Sequence, residues 1–186
     1  MENTEELPTR LNRTIVYESR WVSLYRDAVR LPTGQILEEY HVLDFGKGAV
    51  AVIVEDDDGQ ILMERVTRYP TGTTSWELPA GGIEGDETVL AAAEREVREE
   101  TGYTTFDHTK VYQYHPLNGI SSMCIYLVHC RSGAKRGPID PNEIVRIRWF
   151  SVQELQHLIQ HGEMTDGFAL TGLLLYWHTS GSHSAS

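Results

Sequence analysis

Four glutamates, Glu94, Glu96, Glu99 and Glu100, crowd into the segment EREVREETGY that ends at Tyr103. No other stretch constrains the fold as much, because so many like charges need a partner or an ordered, spaced presentation. On a helix, like charges three or four positions apart repel by about 0.2–0.5 kcal/mol per pair. At about 100° per residue, Leu90, Ala93 and Val97 cluster within about 60° as an apolar stripe, and Glu96, Glu99 and Glu100 fall within about 100° beside it. The segment predicts a helix from about Glu87 to Thr101 that packs by the stripe and gathers three carboxylates next to it. Asp86 is placed to cap its start, and Gly102 to end it in a left-handed conformation. Two readings satisfy the spacing. One is a solvated face paired as Glu94–Arg98 and Arg95–Glu99. The other is a platform for a hard cation such as Mg²⁺, which takes oxygen ligands.

The flanks read as strands. GAVAVIVE (48–55) is a continuous apolar run suited to a buried strand, DDDG turns, and QILMERV (60–66) returns. SWELPAGG (75–82) is a short strand that breaks into a Pro/Gly loop, whose glycines permit tight turns. Upstream, WVSLYRDAVRL (21–31) and QILEEYHVLDF (35–45) form a hairpin around PTG. A two-stranded hairpin is marginal alone in water and must pack on its own domain or on a second copy of the chain. Residues 1–12 read as a polar, mobile arm. Further strands are expected near 110–115, 122–130 and 144–150. Ser151 to Glu154 is a capping-box pattern opening a helix that Gly162 ends. Asp166 is placed to cap a last helix, GFALTGLLLYWH, and the tail TSGSHSAS reads as disordered. The organisation expected is an N-terminal extension over residues 1–45, a catalytic domain over 46–178 and a flexible tail over 179–186.

The chain has 186 residues and a formal net charge of -11. That field repels nucleic acid and anionic membrane, so neither is expected as a partner, and an anionic substrate needs locally placed metal or arginine. No stretch approaches the roughly 18 apolar residues of a membrane span, and MENTEELPTR has no apolar core of a signal peptide. Cys124 and Cys130 lie on one predicted strand, roughly 20 Å apart, too far for a disulfide. They read as reduced thiols of a cytoplasmic protein.

Gly81, Glu87, Arg95, Glu96, Val97, Glu99, Glu100, Gly102 and Tyr103 match the pattern G-x5-E-x7-R-E-U-x-E-E-x-G-U, with U apolar. At average residue usage such a match arises by accident on the order of once in a billion windows, which decides for the cation platform. The chain resembles the Nudix hydrolases, which cleave a nucleoside diphosphate linked to another group. The resemblance covers roughly Val16 to His178. It implies an α/β fold, the Nudix α/β/α sandwich with a mixed sheet, here with an N-terminal β-hairpin extension. It implies that Glu96, Glu99 and Glu100 bind Mg²⁺, with Mn²⁺ as a substitute, and that the carbonyl of Ala80 adds a ligand. Arg95 and Glu87 then act as scaffolding that holds the carboxylates in register.

The flanks RVTRYPTG and WELPAGGIE resemble the ADP-ribose pyrophosphatase branch, in which the N-terminal hairpin is exchanged within a homodimer. YHPLNGISS resembles the proline-containing loop downstream of the box in that branch. The resemblance places Trp21 against the nucleotide base, Arg68 on the diphosphate and Glu77 near the substrate. It makes Glu143, in DPNEIVRIRWF, a loop glutamate that completes the site as base or extra ligand, with Glu99 as the competing base. Each has a plainer reading: a core aromatic for Trp21, an exposed strand-end arginine for Arg68, an ion pair with Arg68 for Glu77 and a solvated loop carboxylate for Glu143. The chain departs from the branch at Ser121-Ser122-Met123, where many members carry a glutamate. The expected activity is hydrolysis of ADP-ribose to AMP and ribose 5-phosphate. Other sugar nucleotides of the GDP-mannose or ADP-glucose type are the nearest alternative. A non-catalytic nucleotide-sensing regulator would bring an eroded box and a DNA-binding extension, and the hairpin argues against a housecleaning enzyme for oxidised nucleoside triphosphates.

Overall fold

The computed structural model describes residues 6–142 and 144–181. The chain divides into two compact units, Met1–Lys47 with His115–Cys124, and Gly48–Tyr114 with Ile125–Ser186.

In the first unit, β1 (Thr9–Glu18), β2 (Ser23–Arg30) and β3 (Ile36–Asp44) form an antiparallel sheet in that order. β2 and β3 are the expected hairpin, turning at Gly34 with φ of +85°. β1 corrects the reading of the first residues as a mobile arm, since residues 9–12 already lie in a strand. TRLNRTIVYE has no alternation because all ten residues are exposed, Leu11, Ile15, Val16 and Tyr17 included. Its register is set instead by pairing with β2. There the buried Asp27 accepts two hydrogen bonds from Arg13, of 2.8 and 2.7 Å. The Arg13 guanidinium holds the Asp27 carboxyl below the usual carboxylate range. The segment His115–Cys124, placed in the catalytic domain by the sequence reading, groups with this sheet. Leu43 N–H donates to Ile120 O at 2.8 Å, and the Tyr40 hydroxyl donates to Gly119 O.

The second unit contains β4 (Ala49–Glu55), β5 (Ile61–Arg68), β6 (Thr73–Glu77), β7 (Ala80–Gly82), α1 (Val89–Thr101), β8 (Tyr103–Tyr114), β9 (Ile125–Lys135), β10 (Ile144–Phe150), α2 (Val152–Gln160) and α3 (Gly167–Gly181). The sheet runs β10-β5-β4-β9-β8, with β6 paired to β5 and β7 to β4. It is mixed: β4 and β9 are parallel, and the other pairings are antiparallel. β4 is apolar throughout because both its faces are covered. Val50, Val52 and Val54 join Leu62, Val128 and Cys130 against Ala92, Ala93 and Val97 of α1. Each such buried aliphatic side chain contributes about 1.5–3 kcal/mol. On the opposite face Leu127 and Leu78 come so near Gly172 of α3 that an added Cβ would lie 3.0 Å from each. Helices therefore cover both faces, and the unit is an α/β/α sandwich.

Three local expectations are corrected. The cap of α1 is Thr88, whose Oγ1 accepts from Ala91 N at 3.2 Å, not Asp86. Glu87 stays outside the helix because its carboxylate accepts from Glu84 N–H at 2.8 Å and from Arg95. Leu90 is 38% exposed, so the packed stripe is Ala92, Ala93 and Val97, with Glu96 buried beside it. α3 runs to Gly181, past His178, where the folded part was expected to stop. Gly102 does end α1 at φ of 76°, and Ser151 with Glu154 forms the capping box of α2. Asp166 Oδ2 accepts from Ala169 N at 2.7 Å at the start of α3. Both cysteines are free and buried. Among the described residues no helix is long and apolar enough to cross a membrane.

Candidate active site

The face of the sheet under α1 carries carboxylates among its apolar residues. Side chains alternate along a strand, so Glu64, Val66 and Arg68 of β5 share the face of Leu62, which packs on α1. Glu77 of β6 is the cross-strand partner of Glu64 and joins that face. On α1, Glu96 and Glu100 follow Ala93 and Val97 by three residues each, and thus continue the packed stripe. Glu96 lies against the backbone of β7: a Cβ on Gly81 would be 2.1 Å from its carboxyl carbon. Glu100 Oε2 accepts from Ala80 N–H at 3.0 Å.

Arg95 ties helix and loop together. Its guanidinium donates to Glu87 Oε1 at 2.7 Å and Oε2 at 3.2 Å, and to Gly82 O at 2.8 Å. It also donates to Glu96 Oε1 at 2.8 Å and Glu99 Oε2 at 3.2 Å. These acceptors raise its pKa, Glu87 most, so Arg95 stays cationic. Its geometry is that of a positioning residue, setting two platform carboxylates relative to the loop. Glu99 has a side chain 55% exposed and lies at the outer edge. Arg68 donates to Glu77 Oε2 from Nη2 at 2.7 Å and from Nε at 3.2 Å. That is the ion pair the sequence reading weighed for Glu77.

Charge on this face is poorly compensated. Burial raises the pKa of Glu96 despite Arg95, and burial raises that of Glu77 despite Arg68. Glu64 is the extreme case. It is 1% exposed, and Oε1 has no hydrogen-bond partner among the described residues. Burial first, then the charges of Glu100, Glu77 and Glu96, push its carboxyl up to about 10. Sequence reasoning missed Glu64. Its signal was a single acid among Ile61, Leu62, Met63 and Val66 of one buried strand.

These residues fit a divalent cation. They are hard oxygen donors, they are gathered on one face, and one buried carboxylate oxygen is orphaned. No group of three His, Cys, Asp or Glu side chains among the described residues is converged as a ligand set. Glu96 and Glu99 are turned to Arg95, and Glu100 to Ala80 N–H.

Glu64, Arg68, Glu77, Ala80, Arg95, Glu96, Glu99 and Glu100 all belong to the second unit. Trp21 belongs to the first. It is 72% exposed, with the Arg20 guanidinium 4.4 Å from its ring centroid, and lines a cavity of about 180 Å³ with Ser19, Asp44 and Phe45. Glu143 lies outside the described residues.

Residues 46–168 match the NUDIX domain family. Residues 9–43 match the family described as nucleoside diphosphate sugar hydrolase N-terminal domain. A CMP-5'-(N-acetyl-N-hydroxy-3-aminopropyl)phosphonate hydrolase of Streptomyces rubellomurinus is 31% identical over 164 residues, covering 86% of this chain and 77% of that protein. An ADP-ribose pyrophosphatase of Mycobacterium tuberculosis is 32% identical over 157 residues, covering 82% of this chain and 74% of that protein. The crystal structure of an ADP compounds hydrolase superposes with a TM-score of 0.84 at 19% identity, over 97% of this chain and 98% of that one, and shows the same fold. A mixed sheet between helices, with an acidic helix braced on a glycine loop, defines the class, and the chain belongs to the Nudix family. It is an enzyme of that family, a hydrolase.

Proposed function

We propose that the chain hydrolyses the pyrophosphate bond of a nucleoside diphosphate derivative, with ADP-ribose as the first substrate and AMP and ribose 5-phosphate as products. The observation that carries this is the carboxylate face around Glu96 and Glu100, braced by Arg95 against β7. The match of residues 9–43 to the sugar hydrolase N-terminal domain supports the substrate class. In this reading Glu96, Glu99 and Glu100, with the Ala80 carbonyl, hold Mg²⁺, or Mn²⁺ in its place, and the ion neutralises the diphosphate and supplies a Lewis acid. Arg95 keeps the platform in register, Arg68 contacts the diphosphate, Glu77 orients Arg68 and Trp21 stacks on the base. Two free cysteines suit a cytoplasmic setting.

A panel of ADP-ribose, GDP-mannose, ADP-glucose and a CDP derivative, with Mg²⁺, with Mn²⁺ and with chelator, tests the reading. ADP-ribose is expected to give the highest kcat/KM, with turnover abolished by the chelator. The second reading, another sugar nucleotide, is favoured by Ser121-Ser122-Met123 in place of an acid. It predicts that GDP-mannose or ADP-glucose outruns ADP-ribose.

The base that takes the proton of the attacking water is Glu143 or Glu99. Glu143→Gln is expected to lower kcat markedly and change KM little, the mark of an interaction made only in the transition state. If Glu143→Gln behaves as the parent while Glu99→Gln loses turnover, the base lies within the box.

A homodimer built on residues 21–45 is part of the same proposal. A three-stranded sheet that leaves Ile15, Val16, Tyr17 and Ile36 exposed is a surface suited to a second copy. Light scattering is expected to give twice the 21.1 kDa of one chain. A monomer at tens of micromolar contradicts it and removes any role for Trp21 across subunits.

A further inference from the structure

We propose that Glu64 is a further carboxylate of the divalent-cation site, facing the ion together with Glu96 and Glu100. The inference rests on the metal-dependent reading above and extends it to a residue outside the box. Glu64 sits mid-strand on β5, paired with Glu77 on one side and Ile147 of β10 on the other. Ile147 packs on the apolar cluster under α1, so Glu64 points into the space between sheet and helix. Moving along β5, the side chains on this face are Leu62, Glu64 and Val66, so Glu64 stands between two buried apolar residues. Along α1 the acidic Glu96 and Glu100 interleave with the apolar Ala93 and Val97. The charges of Glu100, Glu77 and Glu96 all act on Glu64, which places it beside the acidic positions of α1.

A buried position between apolar neighbours accepts Leu, Val or Met at no polar cost. A carboxylate there with an unsatisfied oxygen is destabilising unless something binds it. The positive charge of Arg68 acts on Glu64, but Oε1 accepts no hydrogen bond among the described residues. Arg68, on the same face two positions along, donates to Glu77, and Arg95 donates to Glu87, Glu96 and Glu99. A divalent cation beside two further carboxylates would displace the proton of Glu64 and take up that buried oxygen, and a hard divalent ion takes six or more oxygen ligands. The carboxylates of α1 leave positions open in such a set, and Glu64 of β5 offers an oxygen to one of them from the side opposite the helix.

The test is Mn²⁺ affinity, read by electron paramagnetic resonance of the free ion, together with melting under chelator. Glu64→Gln keeps size and shape, and Glu64→Met removes the polar atoms. Each is expected to weaken Mn²⁺ binding by about tenfold or more, and to melt no lower than the parent without metal, since a buried acid with an unmet oxygen is replaced. Parent-like Mn²⁺ affinity in both variants overturns the proposal, and so does failure of both to fold, which makes Glu64 a structural group. Glu96→Gln serves as the control. If it loses Mn²⁺ while the Glu64 variants keep it, only the role of Glu64 falls. If the parent binds no Mn²⁺, or Glu96→Gln binds as the parent does, the metal-dependent reading falls with it.

Discussion

Glu96→Gln and Glu100→Gln are each expected to lose at least about a hundredfold in hydrolysis, or about 2.7 kcal/mol of transition-state stabilisation. Both substitutions keep the shape of the side chain and remove one negative charge from a shared site. Glu96 is the more buried and lies against Gly81, so Gln there also keeps the packing. Glu100 keeps an acceptor oxygen for Ala80 N–H. Without metal, stability should hold or rise slightly, because repulsion among buried carboxylates is relieved. Initial rates at saturating Mg²⁺, with melting under chelator, give both quantities. Parent-like turnover in both variants would remove the metal platform from the mechanism.

Gly81→Ala is expected to approach that loss with a single methyl group. The backbone of Gly81 is outside the positive-φ region, so alanine meets no strain there. Its Cβ, however, would sit 2.1 Å from Glu96 Cδ and Oε1. The end of a glutamate side chain is flexible and swings away at small cost in folding. It thereby leaves its place beside Glu100 and its 2.8 Å contact with Arg95. Activity and Mn²⁺ affinity should fall together while the melting temperature changes by only a few degrees. A variant with normal metal affinity would show that the position of Glu96 against β7 is not used.

Gly102 sits at the other end of the same helix for a different reason. Its φ is 76°, and a Cβ would lie 2.1 Å from Gly137 O. Here the obstacle is backbone, which cannot swing aside, so substitution would damage the fold before it touched the site. The two fixed glycines of the box thus divide its requirements. One lets a carboxylate approach the loop, and the other lets α1 turn directly into β8.

The parts of this protein legible in its sequence are those set by short spacing. The acidic patch follows from three residues at i, i+3 and i+4, and the end of α1 from a glycine after the last turn. The hairpin β2–β3 follows from two patterned runs around a turn, and the buried strand β4 from an unbroken apolar run. Elsewhere the local signal misled. β1 has no alternation to read, since none of its residues is buried and pairing with β2 sets its register. Asp86 had the right chemistry for a cap, but the capture of Glu87 by Arg95 and by Glu84 N–H moved the start of the helix to Thr88. Leu90 had the right spacing for the core, yet it lies in the first turn of α1 and remains exposed.

By itself the sequence determined the family, the sandwich and the helix that carries the carboxylates. Each of these depends on residues close in the chain, and helical geometry converts close spacing into a shared face. Only the tertiary structure decided what stands opposite that face. Glu64 and Glu77 are brought beneath Glu96 and Glu100 by the pairing of β5 with β6 and by the packing of α1 over the sheet. Glu64 and Glu96 lie 32 positions apart in the chain, and no local pattern spans that distance. Burial, the unmet hydrogen bond of Oε1 and the mutual repulsion of the carboxylates arise only once the layers close, and they are what singles out this strand glutamate.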